Sequence, residues 1–487
     1  METRWEAVIG LEVHVQLRTR SKLFCACANA YGGEPNTRTC PVCLGYPGTL
    51  PTLNDGAVKA ALALGLALGA RINSVSGFDR KQYFYPDLPK GYQITQSRVP
   101  FAEGGWLEIP GDPSARGSDA PIRAGLVRAH LEEDAGKSFH EGPWTLVDLN
   151  RAGVPLVEVV GAPDLRSPLE ASEWFKTLHQ LVTYLGICDG NLEEGSLRCD
   201  ANLSLRPAGA ETFGTRVEIK NLNSFRFLRQ ALDFEIQRQS ALLSAGGTVV
   251  QETRGWDEKA GETRPQRTKE AAMDYRFFPE PDLPPLVIDA EELEAARAAL
   301  PELPAARAAR YRAAAGLGAD EAATLLQSRA FADFYDAVAE GSGHPKAAAH
   351  WMLGEVSRLL NQRGTDLDGL GLKAGDLALL VRRVAEGTVA HGSAKEALLP
   401  ALLAGEGGVD DLIAAKGLAQ VSDPGAVGRA VAEVLAAHPQ QTAALKAGQT
   451  KLRGFLVGQV LKAGQGRLSP AAVNEALDAL LAEGRDG

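Results

Sequence analysis

The stretch GLEVHVQL, Gly10 to Leu17, decides the reading of the fold. Leu11, Val13, Val15 and Leu17 alternate with Glu12, His14 and Gln16, the period-two pattern of a β-strand with one apolar and one polar face. The strand holds Glu12 and His14 side by side. Carboxylate oxygens suit a hard cation such as Mg²⁺ and an imidazole can add a ligand, so this face has the character of half a metal site. For an octapeptide read alone, a solvated polar face is the plainer alternative.

Segments further along repeat the pattern. In SLRCDANLSLR, Leu197, Cys199, Ala201, Leu203 and Leu205 alternate with Arg198, Asp200, Asn202, Ser204 and Arg206; in TRVEIK, Val217 and Ile219 alternate with Arg216, Glu218 and Lys220. The run VPLVEVV, Val154 to Val160, sets Glu158 among apolar residues, where a carboxylate needs a cation, a donor or solvent. One sheet, apolar behind and polar in front, would gather these groups on a concave surface. RAHLEEDAGKS, Arg128 to Ser138, groups three acids before Gly136, Lys137 and Ser138. Its ending resembles a Walker A loop but has Leu131 where the first glycine is required. Asn223 or Ser224 can cap a helix running to about Leu243, whose free N–H groups could face an anion. Asp79 to Thr95, DRKQYFYPDLPKGYQIT, mixes Lys81 and Lys90 with tyrosines; it is too polar and proline-broken for a core strand and reads as a surface loop suited to a phosphate-bearing ligand.

Cys25 and Cys27 are one residue apart, Cys40 and Cys43 two, with twelve residues between the pairs. Two close pairs can surround a tetrahedral zinc ion, and four thiolates leave no open position, so the spacing predicts a structural site. Cys188 and Cys199 read as ordinary buried thiols.

The 487 residues, 45% hydrophobic, suit two to four domains. Neither a run of about 18 apolar residues nor a basic-then-apolar leader is present, which predicts a cytoplasmic protein without a membrane segment. A net charge of −10 excludes coating nucleic acid by overall basicity, but not a local patch. Such a patch lies near the C-terminus: no Asp or Glu falls between Glu433 and Glu475, while Lys446, Lys451, Arg453, Lys462 and Arg467 do. All six cysteines precede residue 200 and 24 of the 30 aromatic residues precede residue 290; Ala-, Leu- and Glu-rich helical sequence follows. The expected division is an α+β body at 1–290 with the cysteine insertion at 25–43, helices at 291–404, and a helical tail from the Gly-rich break at 405 to 487. The Pro-rich FFPEPDLPPL, Phe277 to Leu286, reads as a stiff linker.

Taken together and in order, GLEVHVQL, FDRKQYFYPDLPKGYQIT, HLEEDAGKS, DLNRAGVPLVEV, EEGSLRCDANLSLR and KNLNSF resemble the GatB family, the B subunits of aspartyl/glutamyl-tRNA amidotransferases. Later segments, TRGWDEKAGETRPQRTKEAAMDYRFFPEPDLPPL and KLRGFLVGQVLKAGQGRLSPAAVNEAL, extend the resemblance over the whole chain. It implies a glutamine synthetase-like cradle with a largely antiparallel sheet, then an all-α domain and an all-α YqeY-like tail that contacts tRNA. The implied reaction uses ATP to phosphorylate the side-chain carboxylate of Glu on tRNA(Gln) or Asp on tRNA(Asn), after which ammonia displaces phosphate.

By the same resemblance His14, Glu133 and Glu158 would bind Mg²⁺, with Glu12 beside them. Strand alternation alone leaves Glu132 and Glu133 open; the resemblance favours Glu133. Lys81 and Lys90 would line the route of ammonia, and Arg198, Asp200, Asn202 and Lys220 would contact ATP or the tRNA 3′ end. No amidase signature is evident; the resemblance implies that ammonia comes from an A subunit, with a small C subunit completing a GatCAB heterotrimer. The cysteine quartet occurs in only some members, so zinc is not required by the chemistry. Two rivals remain: a non-catalytic zinc-containing tRNA-binding or assembly protein, indifferent to loss of Glu133 or Glu158, and an amide ligase for a free amino acid, indifferent to loss of the tail.

Overall fold

The computed structural model describes residues 4–268, 275–420, 423–446, 449–464 and 468–483. The chain divides into two compact units, Met1–Pro304 and Ala305–Gly487. Helix Ala290–Ala299 lies with the first, where Leu293 and Ala296 pack against its core.

The first unit is built on one large sheet. Its central strand is β1 (Trp5–Gln16), longer than GLEVHVQL at its N-terminal end. Helix α1 (Asp55–Ala67) follows, capped by Asn54, whose side chain accepts from Gly56 and Ala57 N–H. Then come β2 (Asp79–Gln82), β3 (Tyr92–Thr95), β4 (Ile122–Glu133), β5 (Pro155–Gly161), helix α2 (Pro168–Tyr184), β6 (Leu197–Pro207), β7 (Val217–Lys220), helix α3 (Phe225–Ser244), β8 (Glu252–Asp257) and β9 (Glu262–Thr268). Hydrogen bonding gives the order β9-β8-β7-β6-β1-β5-β4-β3-β2, antiparallel except for the parallel pair β7 and β8.

Alternation is why the sheet has two unlike faces. Ile9, Leu11, Val13 and Val15 are at most 1% exposed and share a core with Trp174, Phe175 and Leu178 of α2 and Leu228, Ala231 and Leu232 of α3. Burying each such aliphatic side chain stabilises the fold by about 1.5–3 kcal/mol. Both helices start where the sequence says they can: Ser167 caps α2 with Pro168 in its first turn, and Ser224 caps α3 by accepting from Phe227 N–H.

The segment Asp79–Thr95 corrects the reading as a surface loop. Its ends are the antiparallel strands β2 and β3, paired from Asp79 with Thr95 to Gln82 with Tyr92, and only the proline-containing middle is loop. Polar side chains hid the strands because their charges are paired. Asp79 accepts from Arg98, and Arg80 is clamped by Glu280 Oε2 at 2.7 Å and Glu280 Oε1 at 2.9 Å. The Pro-rich stretch is correspondingly no free linker, since Phe278–Pro279 pairs with β2 and Leu286–Val287 with Val75–Ser76.

The second unit is helical among its described residues. Tyr311 and Tyr335 meet edge-on at 4.7 Å, and Arg307 and Arg310 converge on Asp336. Near its C-terminal end, Pro424–Ala437, Leu452–Ala463 and Pro470–Glu483 pack around Val427, Val431, Leu456, Val460, Val473 and Leu477. Among the described residues no helix is long and apolar enough to cross a membrane.

Candidate active site

On the polar face, three adjacent strands, β1, β5 and β4, bring four titratable side chains together. Register places His14 opposite Glu158, and Glu158 opposite His130, in one row across them. Glu132, two residues from His130 and therefore on the same face, completes the group. His14 Nε2 is 3.4 Å from Glu132 Oε1 and 3.8 Å from Glu158 Oε2. One ligand atom from each of His14, Glu132 and Glu158 can be chosen so that all lie within 4.8 Å of one another, and two carboxylates with an imidazole form a donor set that fits a divalent cation. Burial works against the charge on Glu158, but the hydrogen bond and charge of His130 outweigh it and hold this carboxyl below its usual range. Burial also works against a cationic His130, and Glu132 and Glu158 outweigh it, raising His130 to about 9.

Glu133 does not join this group. Alternation turns it to the opposite face, where its Oε1 accepts from Ile94 N–H at 2.9 Å and pairs with Lys90 Nζ. The structure thus brings His14 and Glu158 together with Glu132 and not with Glu133. Lys90 and Glu133 line a cavity with Phe24, Cys43, Tyr46 and Tyr92. Lys81 lies near enough to Glu158 to favour its charged form, with its ammonium 4.8 Å from the ring centre of Tyr275.

The other front-face residues form pairs of their own. Asn202 donates to Glu12 Oε1 at 2.9 Å; burial and then the Glu158 charge push Glu12 above its ordinary value. Lys220 bridges Asp200 at 2.8 Å and Glu218 at 3.2 Å. Arg198 reaches the buried Asp134 at 2.9 Å.

Cys25, Cys27, Cys40 and Cys43 also converge, one Sγ from each within 4.8 Å of the others, as a tetrahedral zinc site requires. The Cys40 N–H points at Cys43 Sγ at 3.2 Å, and Gly45, at φ +70°, turns the chain in a conformation that favours glycine. The fully buried Lys22 donates to Arg38 O at 2.8 Å, with its Nζ 3.8 Å from Cys43 Sγ. A thiol hydrogen bond from Cys25 draws Cys43 down to about 5.

The GatB/GatE catalytic domain matches residues 7–294, more than half the chain, and a second GatB domain matches residues 333–481. The chain belongs to the GatB family. Curated relatives named as B subunits of aspartyl/glutamyl-tRNA(Asn/Gln) amidotransferase include those of Alkalilimnicola ehrlichii, 52% identical over 97% of this chain and 98% of the relative, and Ralstonia nicotianae, 51% identical over 97% and 98%. That of Thermosynechococcus vestitus is 48% identical over 97% and 96%. The α+β body followed by helices fits the order of the two GatB domains.

His130 and Lys22 were missed in the sequence. His130 had a usable signal, since it shares the parity of Glu132 in RAHLEED; Lys22 had none, because its position depends on the fold of the cysteine segment.

In the tail, Lys446, Lys451 and Lys462 are exposed. Arg453 pairs with Asp478, at 2.6 and 2.7 Å. Arg467 lies outside the described residues.

Proposed function

We propose that this chain is the B subunit of a glutamine-dependent tRNA amidotransferase, a C–N bond-forming ligase, and that the front face of its sheet activates the side-chain carboxylate of Glu-tRNA(Gln), Asp-tRNA(Asn) or both. The observation that carries the reading is the convergence of His14, Glu132 and Glu158 on three strands of a chain in this family. These three would hold Mg²⁺, which when bound neutralises charge on the phosphates of ATP. The side-chain carboxylate attacks the γ-phosphorus, the bond to the β-phosphate oxygen breaks, and ADP leaves. Ammonia then adds to the acyl phosphate, which expels phosphate with the bonding electron pair as nitrogen loses a proton.

The chain's own groups position these events. Lys81 and Lys90 line the path of ammonia, which a partner amidase A subunit supplies, with a C subunit completing the assembly. Lys90 favours this role because it enters the cavity with its charge offset by Glu133. Glu12 lies beside the cation site; Arg198, Asp200, Asn202 and Lys220 extend the surface toward ATP or the tRNA end. The cysteine quartet holds structural Zn²⁺, and residues 405–487 bind tRNA through the exposed tail lysines.

The deciding experiment combines the chain with its A and C partners, ATP, Mg²⁺ and glutamine, and follows Glu-tRNA(Gln) and Asp-tRNA(Asn) separately. Amide on at least one is expected; amide on neither overturns the reading.

A further inference from the structure

Glu158 stands between two imidazoles. Its Oε2 is 3.8 Å from His14 Nε2 and 3.2 Å from His130 Nε2. His130 is 2% exposed, its Nε2 is also 3.8 Å from Glu132 Oε2, and its Nδ1 has no hydrogen-bond partner. Packing alone does not account for such a ring. An apolar side chain would fill the space without burying an unsatisfied nitrogen. The one engaged nitrogen faces both carboxylates, and ligating carboxylates are themselves held by hydrogen bonds that fix their orientation.

We propose that His130 is a positioning residue for the cation site: its Nε2–H donates to Glu158 and holds that carboxylate, together with Glu132, turned toward His14. The inference rests on His14, Glu132 and Glu158 being a divalent-cation site. His130 is a support and not a ligand, because its Nε2 faces the carboxylates and its Nδ1 has no hydrogen-bond partner.

The test is Mn²⁺ binding to the full-length chain, followed by electron paramagnetic resonance. His130→Phe keeps a ring of similar size without a donor and is expected to weaken Mn²⁺ binding about 10–100-fold. His130→Gln restores an N–H donor and is expected to recover most of the affinity. At saturating Mn²⁺, the imidazole nitrogen coupling in the echo-modulation spectrum should persist in His130→Phe and vanish in His14→Ala. Equal or tighter binding by His130→Phe overturns the proposal, and so does loss of a nitrogen coupling in that variant, which would make His130 a ligand. If circular dichroism shows that His130→Phe does not fold, His130→Leu decides by the same criteria. A wild-type chain that binds no Mn²⁺ sinks the cation-site reading and this inference with it, whereas wild-type binding unaffected by His130→Phe sinks the inference alone.

Discussion

Glu132 and Glu133 are consecutive, yet Glu132 lies 3.4 Å from His14 on one face of the sheet while Glu133 bonds Ile94 N–H and Lys90 on the other. Two neighbouring acids are thereby given separate work. Glu132→Gln is expected to weaken Mn²⁺ or Mg²⁺ binding by about tenfold or more. Glu133→Gln, a change on the opposite face of the strand, should leave cation affinity unchanged while slowing amide formation in the reconstituted complex. Cation titrations of the two variants side by side check this; equal losses would reject the division.

The cysteine quartet predicts about one zinc per chain by elemental mass spectrometry, as four ligands complete one tetrahedral ion. Cys40→Ser with Cys43→Ser should abolish the stoichiometric metal and lower the thermal midpoint, because binding energy at such sites is folding energy. Unchanged metal content in the double variant would contradict the assignment.

Much of this arrangement was legible in the sequence because strand alternation is a local property. GLEVHVQL put His14 on a polar position without any knowledge of neighbours, and VPLVEVV singled out Glu158 as the one acid in an apolar run. Local alternation also separates Glu132 from Glu133, since Arg128, His130 and Glu132 share one parity and Ala129, Leu131 and Glu133 the other; what it does not carry is the register that sets Glu158 between His14 and His130. The hairpin at Asp79–Thr95 reads as a loop because Glu280, which offsets the charge of Arg80, lies 200 residues further along the chain. The basic tail was visible as composition, but the loss of Arg453 to Asp478 depends on helix packing.

Lys446, Lys451 and Lys462 supply testable charge. Replacing them together with Gln should weaken tRNA binding and flatten its dependence on salt, by about 0.7–0.9 in the log–log slope for each phosphate no longer neutralised. Arg453→Gln should act mainly on stability of the tail, through its ion pair. Filter binding across a salt series separates the two effects.

Asp336 predicts a pH effect on the second unit. Burial alone would raise its carboxyl, but hydrogen bonds from Arg310 and Arg307 outweigh this and hold it below the usual carboxylate range. A depressed folded value means stability present above the unfolded value near 3.9 and lost as pH falls through the folded one. Asp336→Asn should therefore lower the thermal midpoint at pH 7, and the gap to wild type should narrow as pH falls from about 5 toward 3. A gap that stays constant would show that the ion pairs do not contribute.

Ser224 caps α3, the helix that covers β6 from behind. Ser224→Ala should destabilise the first unit by about 1 kcal/mol, read from chemical denaturation, and Ser224→Asp should recover most of it.

The ion pair between Arg80 and Glu280 spans 200 residues. A ribosome adding about 5–20 residues per second needs roughly 10–40 s to travel from one to the other. Throughout that interval β2 has no partner for its outer edge, and an open strand edge can recruit another chain. The Pro-rich stretch that finally closes it, through Phe278 and Pro279, is thus a late clasp, and nascent chains halted before residue 280 are the ones that should depend most on chaperones.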